Sequence, residues 1–202
     1  MTRIFKKMEI DEIVSLLNNG EIVAFGTDTV FGIGVIYNRA EAVEEMKRVK
    51  GRDALKPFPL MVANIRQLEE VAYVGEREKR IARKYMPGAL TLVLKRKDTV
   101  RRELVNGFDT IAVRIPDDSF ALKLLRKTGP MFVTSANISG QKAATNVQEV
   151  LQQLDGRIAG VVRGKGRSGV ASTIIDCTGE ELKCLREGAL SLNDIKEAAE
   201  NV

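Results

Sequence analysis

The segment DSFALKLLRKTGPMFVTSANISG, Asp118 to Gly140, contains the alternation on which the fold of this chain depends. Its first half has the spacing of an amphipathic helix, with Asp118 placed to cap the helix and a glycine at its end. The apolar strand PMFV follows at once and ends in the small polar residues TSAN. A helix leading into an apolar strand is typical of α/β sheets, in which ligands bind at strand ends.

The same alternation continues on both sides of this segment. Strands are predicted at EIVAFGT, VFGIGVIY, FPLMVAN, ALTLVLKR, TIAVRIP, RIAGVVRG, STIIDC and LKCLREG. Helices are predicted at EIDEIVSLLNNG, RAEAVEEMKRVKG, about Ile65 to Val71, EREKRIARKYMPG, TNVQEVLQQLDG and from Ser191 onwards, with Thr145 and Gln148 in capping-box spacing. We therefore expect one α/β (α+β) domain over residues 1–202, with a large mixed sheet.

The composition narrows the class of protein. The chain has 202 residues, of which 44% are hydrophobic and 29% charged, as in ordinary globular proteins. Its start lacks the apolar core of a signal peptide, and no apolar run reaches the ~18 residues of a membrane span. We expect a cytoplasmic protein without a membrane segment. Cys177 and Cys184 are interpreted as two buried thiols rather than a disulfide or a zinc site.

The absence of histidine limits the chemistry most strongly. The chain contains none, which excludes Ser-His-Asp and Cys-His catalysis, histidine-ligated metals and an imidazole general base. Catalysis must use carboxylates, lysines, arginines, hydroxyls, backbone dipoles or the substrates' own groups. A net charge of +5 and a pI near 9.2 favour anionic partners, either nucleotides or RNA.

Four segments place small or basic polar residues at strand ends. They are GTDTVFGIG, MKRVKGRDALKPFPL, TSANISG, and GRSGVASTIID together with LREG. Each segment alone is equally compatible with turn chemistry or solvated surface charge. The chain has no Walker A motif and no Rossmann glycine pattern. Any phosphate is therefore expected to bind lysine, arginine and hydroxyl side chains, together with magnesium.

In this order the motifs resemble those of the YrdC-type threonylcarbamoyl-AMP synthases. The matching motifs are TDTVFG, KGR with a following KP, PGALT, VRIP, TSANISG, and STIID ahead of LREG. The similarity runs from about residue 10 to residue 188 and corresponds to the short form of the family, without its extra C-terminal domain. It implies a YrdC-like domain with a twisted, mostly open mixed sheet, flanking helices and a basic concave pocket.

The resemblance also implies a nucleotidyltransferase activity. The family forms threonylcarbamoyl-AMP and pyrophosphate from L-threonine, bicarbonate or CO₂, and ATP, and a downstream tRNA threonylcarbamoyltransferase uses the product. No protein nucleophile and no protein metal site are implied; Mg²⁺ is expected to bind through the ATP phosphates. Charge stabilisation is assigned to Lys50, Arg52 and Lys56. The implied ATP-binding residues are Arg52, Lys56, Thr110, Ser135, Ala136, Asn137, Ala144 and Arg186, and the implied threonine-binding residues are Thr29, Arg114, Thr134 and Ser172.

The sequence departs from the family pattern at three positions. Gly26 replaces a common proline, Phe31 a common tyrosine, and Met61 a histidine found in many longer relatives.

Two alternative functions remain. One is an RNA-binding or translation-associated protein that binds RNA or tRNA weakly through the same pocket; base-stacking aromatics are few for such a role, at 5%. The other is a paralogue acting on another carbamoyl or nucleotide substrate, which retention of KGR and TSAN disfavours.

Overall fold

A mixed sheet of ten strands forms the centre of the computed structural model, which describes residues 1–51 and 56–200. Across the sheet the strand order is β1-β8-β2-β3-β7-β4-β6-β5-β9-β10. The strands are β1 (Arg3–Phe5), β2 (Val23–Gly26), β3 (Phe31–Ile36), β4 (Leu60–Met61), β5 (Leu90–Lys95), β6 (Thr110–Arg114), β7 (Met131–Ser135), β8 (Gly160–Val162), β9 (Thr173–Asp176) and β10 (Lys183–Arg186). The predicted α/β class with an open mixed sheet is confirmed.

Seven α-helices connect these strands within the same described ranges. They are α1 (Ile10–Asn18), α2 (Ala40–Lys50), α3 (Ile65–Val71), α4 (Glu76–Tyr85), α5 (Ser119–Thr128), α6 (Val147–Leu154) and α7 (Leu192–Glu200), with short 3₁₀ helices at Lys7–Glu9 and Arg102–Val105. Asp118 caps α5 as predicted, because its carboxylate accepts from the N–H groups of Phe120 and Ala121.

The helices cover the two faces of the sheet unequally. On one face, α2, α3, α4, α6 and α7 pack over the sheet with side chains such as Met46, Leu68 and Ile81. On the other face, α1 and α5 pack with Leu17 and Leu124 against the half of the sheet around β2, β3 and β7. The remaining half of this second face, formed by β6, β5, β9 and β10, keeps partly exposed side chains and leaves room for a cavity.

The pairing of strands places distant segments side by side. Strands β2 and β3 form an antiparallel hairpin, whereas β4 lies between β7 and β6, which follow it much later in the chain. Strand β5 pairs in parallel with β9, so that Thr91 lies opposite Ile174. As a result, the ends of β4, β6 and β10 lie beside the beginnings of β5, β7 and β9, whereas the ends of β2 and β7 and the beginning of β3 lie at the opposite end of the strands.

Two local features differ from the expectations. The N-cap of α6 is Asn146, which accepts from the N–H of Glu149 at 2.9 Å; the Thr145–Gln148 capping box is wrong by one position. Strand β1 was not predicted from the sequence, since its three residues are too few to show an alternation. Lys50 is the last residue of α2, within the helix predicted at RAEAVEEMKRVKG.

The cysteine and membrane expectations are tested in part. Both cysteines are free; Cys177 is buried as expected, but Cys184 is only half-buried on the edge strand β10. Among residues 1–51 and 56–200, no helix has the length and apolar character required to cross a membrane.

Candidate functional site

A cavity of ≈ 310 Å³ opens on the second face of the sheet, beside the half that α1 and α5 cover. Its walls come from seven strands (β3, β4, β5, β6, β7, β9 and β10) and from the loops beside them, so residues far apart in the chain take part. The side chains with oxygen, nitrogen or sulfur atoms among the lining residues are those of Thr27, Thr29, Met61, Thr91, Arg114, Thr134, Ser135, Ser172 and Arg186. The cavity exists because α1 and α5 leave this part of the sheet uncovered.

Arg114 provides a buried positive charge at the end of β6. Its Nη2 donates to Asp28 Oδ1 at 2.7 Å, its Nη1 to Thr29 Oγ1 at 3.1 Å and its Nε to the carbonyl of Gly88 at 3.0 Å. Burial lowers the pKa of Arg114, and the Asp28 carboxylate opposes that shift. An arginine stays protonated in proteins, so the cavity keeps this charge at every physiological pH.

Arg186 provides a second positive charge on the same wall. Its Nε and Nη2 donate to the carbonyl oxygen of Ser172 at 3.0 and 2.8 Å, and Nη2 also donates to Ser172 Oγ at 3.1 Å. Burial lowers the pKa of Arg186, and the neighbouring charge of Arg114 lowers it further. Two guanidinium groups close enough to repel each other favour an anionic ligand that lies between or across them.

Hydroxyl groups complete the polar lining. Thr91 Oγ1 and Ser172 Oγ lie 2.8 Å apart across the parallel β5–β9 pair, and both side chains are buried. Thr27 and Thr29 form a second buried hydroxyl pair, 3.0 Å apart, on the loop between β2 and β3. Thr134 lines the cavity from β7. The charged and hydroxyl groups that line this cavity are suited to a ligand with several oxygen atoms.

Lys50 lies behind the cavity wall, inside the turn that follows β7. Its Nζ donates to the carbonyl oxygen of Ser135 at 2.7 Å, to that of Asn137 at 3.0 Å and to Asn137 Oδ1 at 3.1 Å. The side chain is buried, with 2% of its surface exposed. The ammonium group therefore joins the end of α2 to the TSAN turn, where it shapes the wall from behind.

The loop Arg163–Ala171 closes one side of the cavity. The backbone of this glycine-rich segment runs beside that of the loop 27–29. The N–H groups of Arg167, Ser168 and Gly169 donate to the carbonyls of Thr27, Asp28 and Thr29 at 3.3, 3.2 and 2.9 Å, respectively. Two stretches separated by about 140 positions are thus held together at the cavity.

The predicted site residues differ in where they lie: on the cavity wall, directly behind it, or away from it. On the cavity wall lie Thr29, Arg114, Thr134, Ser135, Ser172 and Arg186. Immediately behind it are buried Ala136, Asn137 and Ala144, as well as Lys50. Thr110 is half-buried on the face of β6 that also carries Ala112 and Arg114, because alternate residues of a strand share a face. Lys56 is exposed just before Pro57, which lines the cavity, and Arg52 lies outside the described residues.

The sequence assigned no role to three polar residues of the site. Asp28 and Thr27 belong to the TDT cluster and Thr91 to the PGALT motif, so the signal was present in both motifs. Met61, which the resemblance aligns with a histidine of many longer relatives, lines the cavity, and the β4–β6 register places it opposite Arg114. A thioether at this position makes that part of the wall apolar.

The described residues offer no cluster of three or more cysteine, aspartate or glutamate side chains that could hold a metal ion. The carboxylate of Asp28, which follows the cavity residue Thr27, is paired with Arg114.

An open mixed sheet with arginine and hydroxyl side chains around a cavity places this chain among α/β proteins, with a site suited to small oxygen-rich anions. A comparison with protein-family models identifies the family: the Sua5/YciO/YrdC model, described as "Telomere recombination", matches residues 15–188. The chain therefore belongs to the Sua5/YciO/YrdC family.

Several relatives carry the name threonylcarbamoyl-AMP synthase. The protein from Bacillus subtilis (strain 168) is 37% identical over 93% of this chain, and that from Pyrococcus abyssi is 38% identical over 90%. The chain covers 56% and 54% of these two proteins, so it spans about half the length of the curated relatives it matches. A putative threonylcarbamoyl-AMP synthase of Mycobacterium leprae is 38% identical, over 93% of this chain and 86% of the relative.

Solved structures give the same result. P. abyssi Sua5 in complex with L-threonine matches 98% of this chain and 60% of its own chain, with a TM-score of 0.92 and 34% identity. Escherichia coli YciO matches 96% of this chain and all of its own, with a TM-score of 0.89 at 23% identity, which supports the fold alone.

Proposed function

We propose that this chain is a threonylcarbamoyl-AMP synthase, a nucleotidyltransferase that joins L-threonine, CO₂ or bicarbonate, and ATP. The observation that carries the proposal is the cavity in which Arg114 and Arg186 share one wall with the buried hydroxyls of Thr29 and Ser172. The names of the relatives support it, as does the L-threonine bound to P. abyssi Sua5.

The amino-acid end of the site is assigned to the loop between β2 and β3 and to the end of β6. Arg114 has two N–H groups beyond those that bond Asp28, Thr29 and Gly88, since a guanidinium carries five. These are suited to the carboxylate of threonine, which a planar guanidinium binds at two points. Thr134 and Ser172 complete this end of the cavity.

The nucleotide end is assigned to the turn after β7 and to β10. There Ser135 and the backbone of Ala136 face the nucleotide, with Asn137 and Ala144 as support and Thr110 farther along β6. Arg186, Lys56 and Arg52 are assigned to the phosphates. Magnesium enters bound to the ATP phosphates, where it neutralises part of their charge.

The chemistry requires no nucleophile from the protein. The threonine amine attacks the carbon of CO₂, and its proton leaves to solvent, which gives a carbamate anion. A carbamate oxygen then attacks the α-phosphorus of ATP, the bond to the β-phosphate oxygen breaks, and pyrophosphate leaves. The protein's contribution is to position two anions against each other and to offset their repulsion with fixed positive charge. Histidine is not needed for either step.

The proposal includes the later fate of the product. Threonylcarbamoyl-AMP is a mixed anhydride, so it must be consumed by a transferase that moves the threonylcarbamoyl group to tRNA. No relative's name favours the RNA-binding alternative.

The test is an assay of the purified protein with ATP, magnesium, bicarbonate and L-threonine. We expect pyrophosphate release and a threonylcarbamoyl adenylate detectable by mass spectrometry, both dependent on threonine. Arg114→Lys keeps the charge but loses two-point binding, and we expect at least a tenfold fall in kcat/KM for L-threonine. Arg126→Lys, on the exposed end of α5, is the matched control. Pyrophosphate release that is unchanged without threonine would contradict the proposal.

A further inference from the structure

The hydroxyl oxygens of Thr27 and Thr29 lie 3.0 Å apart, and the direction of the hydrogen bond between them decides what the cavity offers to a ligand. A threonine hydroxyl has one hydrogen to donate and two lone pairs that accept. The remaining partners of each oxygen therefore determine which of the two donates.

The partners of Thr27 Oγ1 point to one direction. This oxygen lies 2.8 Å from the carbonyl oxygen of Val30, which can only accept, so a bond there requires the Thr27 hydrogen. If Thr27 donates to Val30, then Thr29 donates to Thr27, and both contacts are hydrogen bonds. In the opposite arrangement the Thr27 hydrogen serves Thr29, and the contact with Val30 is lost. The first arrangement makes one more buried hydrogen bond and is favoured for that reason.

In this arrangement Thr27 is saturated by the protein. Its Oγ1 donates to Val30 and accepts from the N–H of Thr29 at 3.2 Å and from the Thr29 hydroxyl. Although Thr27 lines the cavity, its one hydrogen and both lone pairs are in use. A ligand therefore meets Thr29 and not Thr27.

Unlike the hydroxyl of Thr27, the hydroxyl of Thr29 can still bind a ligand, but only as an acceptor. Its hydrogen is directed to Thr27, and Arg114 Nη1 donates to its oxygen at 3.1 Å. Among residues 1–51 and 56–200 these are the hydrogen-bond partners of Thr29 Oγ1, which leaves one lone pair for a ligand. We infer that Thr29 acts only as an acceptor, and that Thr27 is the positioning residue that fixes this direction.

The free lone pair of Thr29 Oγ1 lies beside the Arg114 guanidinium, so the ligand group that binds it must be a hydrogen-bond donor without a positive charge. A carboxylate has no hydrogen to give to Thr29, and the charge of Arg114 repels an ammonium, although Asp28 balances part of that charge at the other terminal nitrogen. A hydroxyl group meets both conditions. Resting on the proposed function, in which L-threonine is the substrate, this assigns the β-hydroxyl of threonine as the donor to Thr29 Oγ1.

The experiment compares two substitutions of Thr27, a residue that does not touch the ligand. Thr27→Val keeps the branched shape but removes the hydroxyl, so the Thr29 hydrogen is released and can turn toward the cavity. Thr27→Ser keeps the hydroxyl and is the matched control. The readout is the ratio of the affinities for L-threonine and L-valine, measured by calorimetry, because valine replaces the β-hydroxyl by a methyl group.

In the wild-type protein we expect L-threonine to bind at least a hundredfold more tightly than L-valine, as in sites built around a substrate hydroxyl. Thr27→Val should reduce this ratio about tenfold, the equivalent of one buried hydrogen bond. Thr27→Ser should keep the ratio within about twofold. An unchanged ratio in Thr27→Val, with L-threonine still bound, overturns the inference and leaves the proposed function intact.

A second measurement needs only the wild-type protein and decides the question if Thr27→Val does not fold. In (2R,3R)-2-amino-3-fluorobutanoate, which has the spatial arrangement of L-threonine, a fluorine of similar size replaces the hydroxyl and can accept but not donate. If Thr29 is an acceptor, this analogue binds as weakly as L-valine; binding as tight as that of L-threonine makes Thr29 a donor and overturns the inference. Wild-type protein that binds no L-threonine contradicts the proposed function itself.

Discussion

Arg114 keeps its charge inside the protein because each of its three nitrogen atoms has an oxygen partner. The ion pair with Asp28 is buried on both sides, with 6% and 9% of the two side chains exposed. Removing one partner of such a pair leaves the other charge without compensation and typically costs ~3–5 kcal/mol. Asp28 is therefore part of the anion site although it does not itself bind an anion.

The two cysteines differ in their access to water, and the difference predicts their reactivity. Burial raises the pKa of Cys177 to about 12, and the Glu78 carboxylate adds to that effect. The reactive thiolate forms only as the pH approaches this pKa, so at pH 8 only on the order of 10⁻⁴ of Cys177 is ionised. Cys184 is half-buried on the edge strand β10.

We expect iodoacetamide at pH 8 to label Cys184 at least tenfold faster than Cys177 in the folded protein, with peptide mass spectrometry as the measurement. Labelling in guanidinium chloride is the control, since unfolding removes the burial and both thiols should then react at similar rates. Equal rates in the folded protein would show that Cys177 is not buried as described.

At the scale of elements, the end of α2 and the end of β7 form one unit. Lys50 Nζ bonds to oxygens of Ser135 and Asn137, and the N–H of Ser139 donates to the Lys50 carbonyl at 2.8 Å. The lysine therefore holds the backbone of the TSAN turn from both its side chain and its main chain. Under the proposed function, Lys50 therefore positions the turn assigned to the nucleotide and does not itself bind a phosphate.

The prediction from this contact separates positioning from phosphate binding. Lys50→Met should weaken the binding of ATP and of AMP by a similar factor, about tenfold or more, because the turn that faces the nucleoside loses its support. A lysine that binds the β- and γ-phosphates would affect ATP and leave AMP unchanged. Calorimetric titration of both nucleotides measures the difference.

Lys47→Met is the matched control for this comparison. Lys47 lies one helical turn earlier, where its ammonium bonds Glu44 and Asn106 and not the TSAN turn. We expect its substitution to leave both affinities within about twofold. If Lys50→Met weakened the binding of ATP and left that of AMP unchanged, Lys50 would instead be a phosphate-binding residue.

At the scale of the whole molecule, the sequence predicted the elements better than their arrangement. Helices were predictable because a 3.6-residue period and a cap such as Asp118 are local signals. The parallel pairing of β5 with β9 is not local, so neither the Thr91–Ser172 contact nor the Arg114–Asp28 pair could be derived from spacing. The order of the motifs, through the resemblance, indicated several of the cavity residues: Thr29, Arg114, Thr134, Ser135, Ser172 and Arg186.

The same long-range arrangement supports a prediction about Gly166. A Cβ atom at this position would lie 2.8 Å from Val30 Cα and 3.0 Å from the carbonyl oxygen of Thr29, both of them backbone atoms. Gly166→Ala must therefore push the loop 163–171 away from the loop that carries Thr27 and Thr29. We expect a loss of ~1–3 kcal/mol in the free energy of unfolding, as for other overpacked sites. L-threonine affinity should fall about tenfold, since the displaced loop carries one wall of the cavity.

Gly164→Ala, two residues earlier in the same loop, is the control for this last experiment. Its Cβ would meet only Lys7 Cε, at the ordinary distance of 3.8 Å, so stability should change by less than ~0.5 kcal/mol and L-threonine binding should be retained. Denaturant unfolding and calorimetry on both variants measure the two quantities separately. If Gly166→Ala behaves like Gly164→Ala, the two loops do not depend on each other, and the amino-acid end of the cavity is formed by the β2–β3 loop alone.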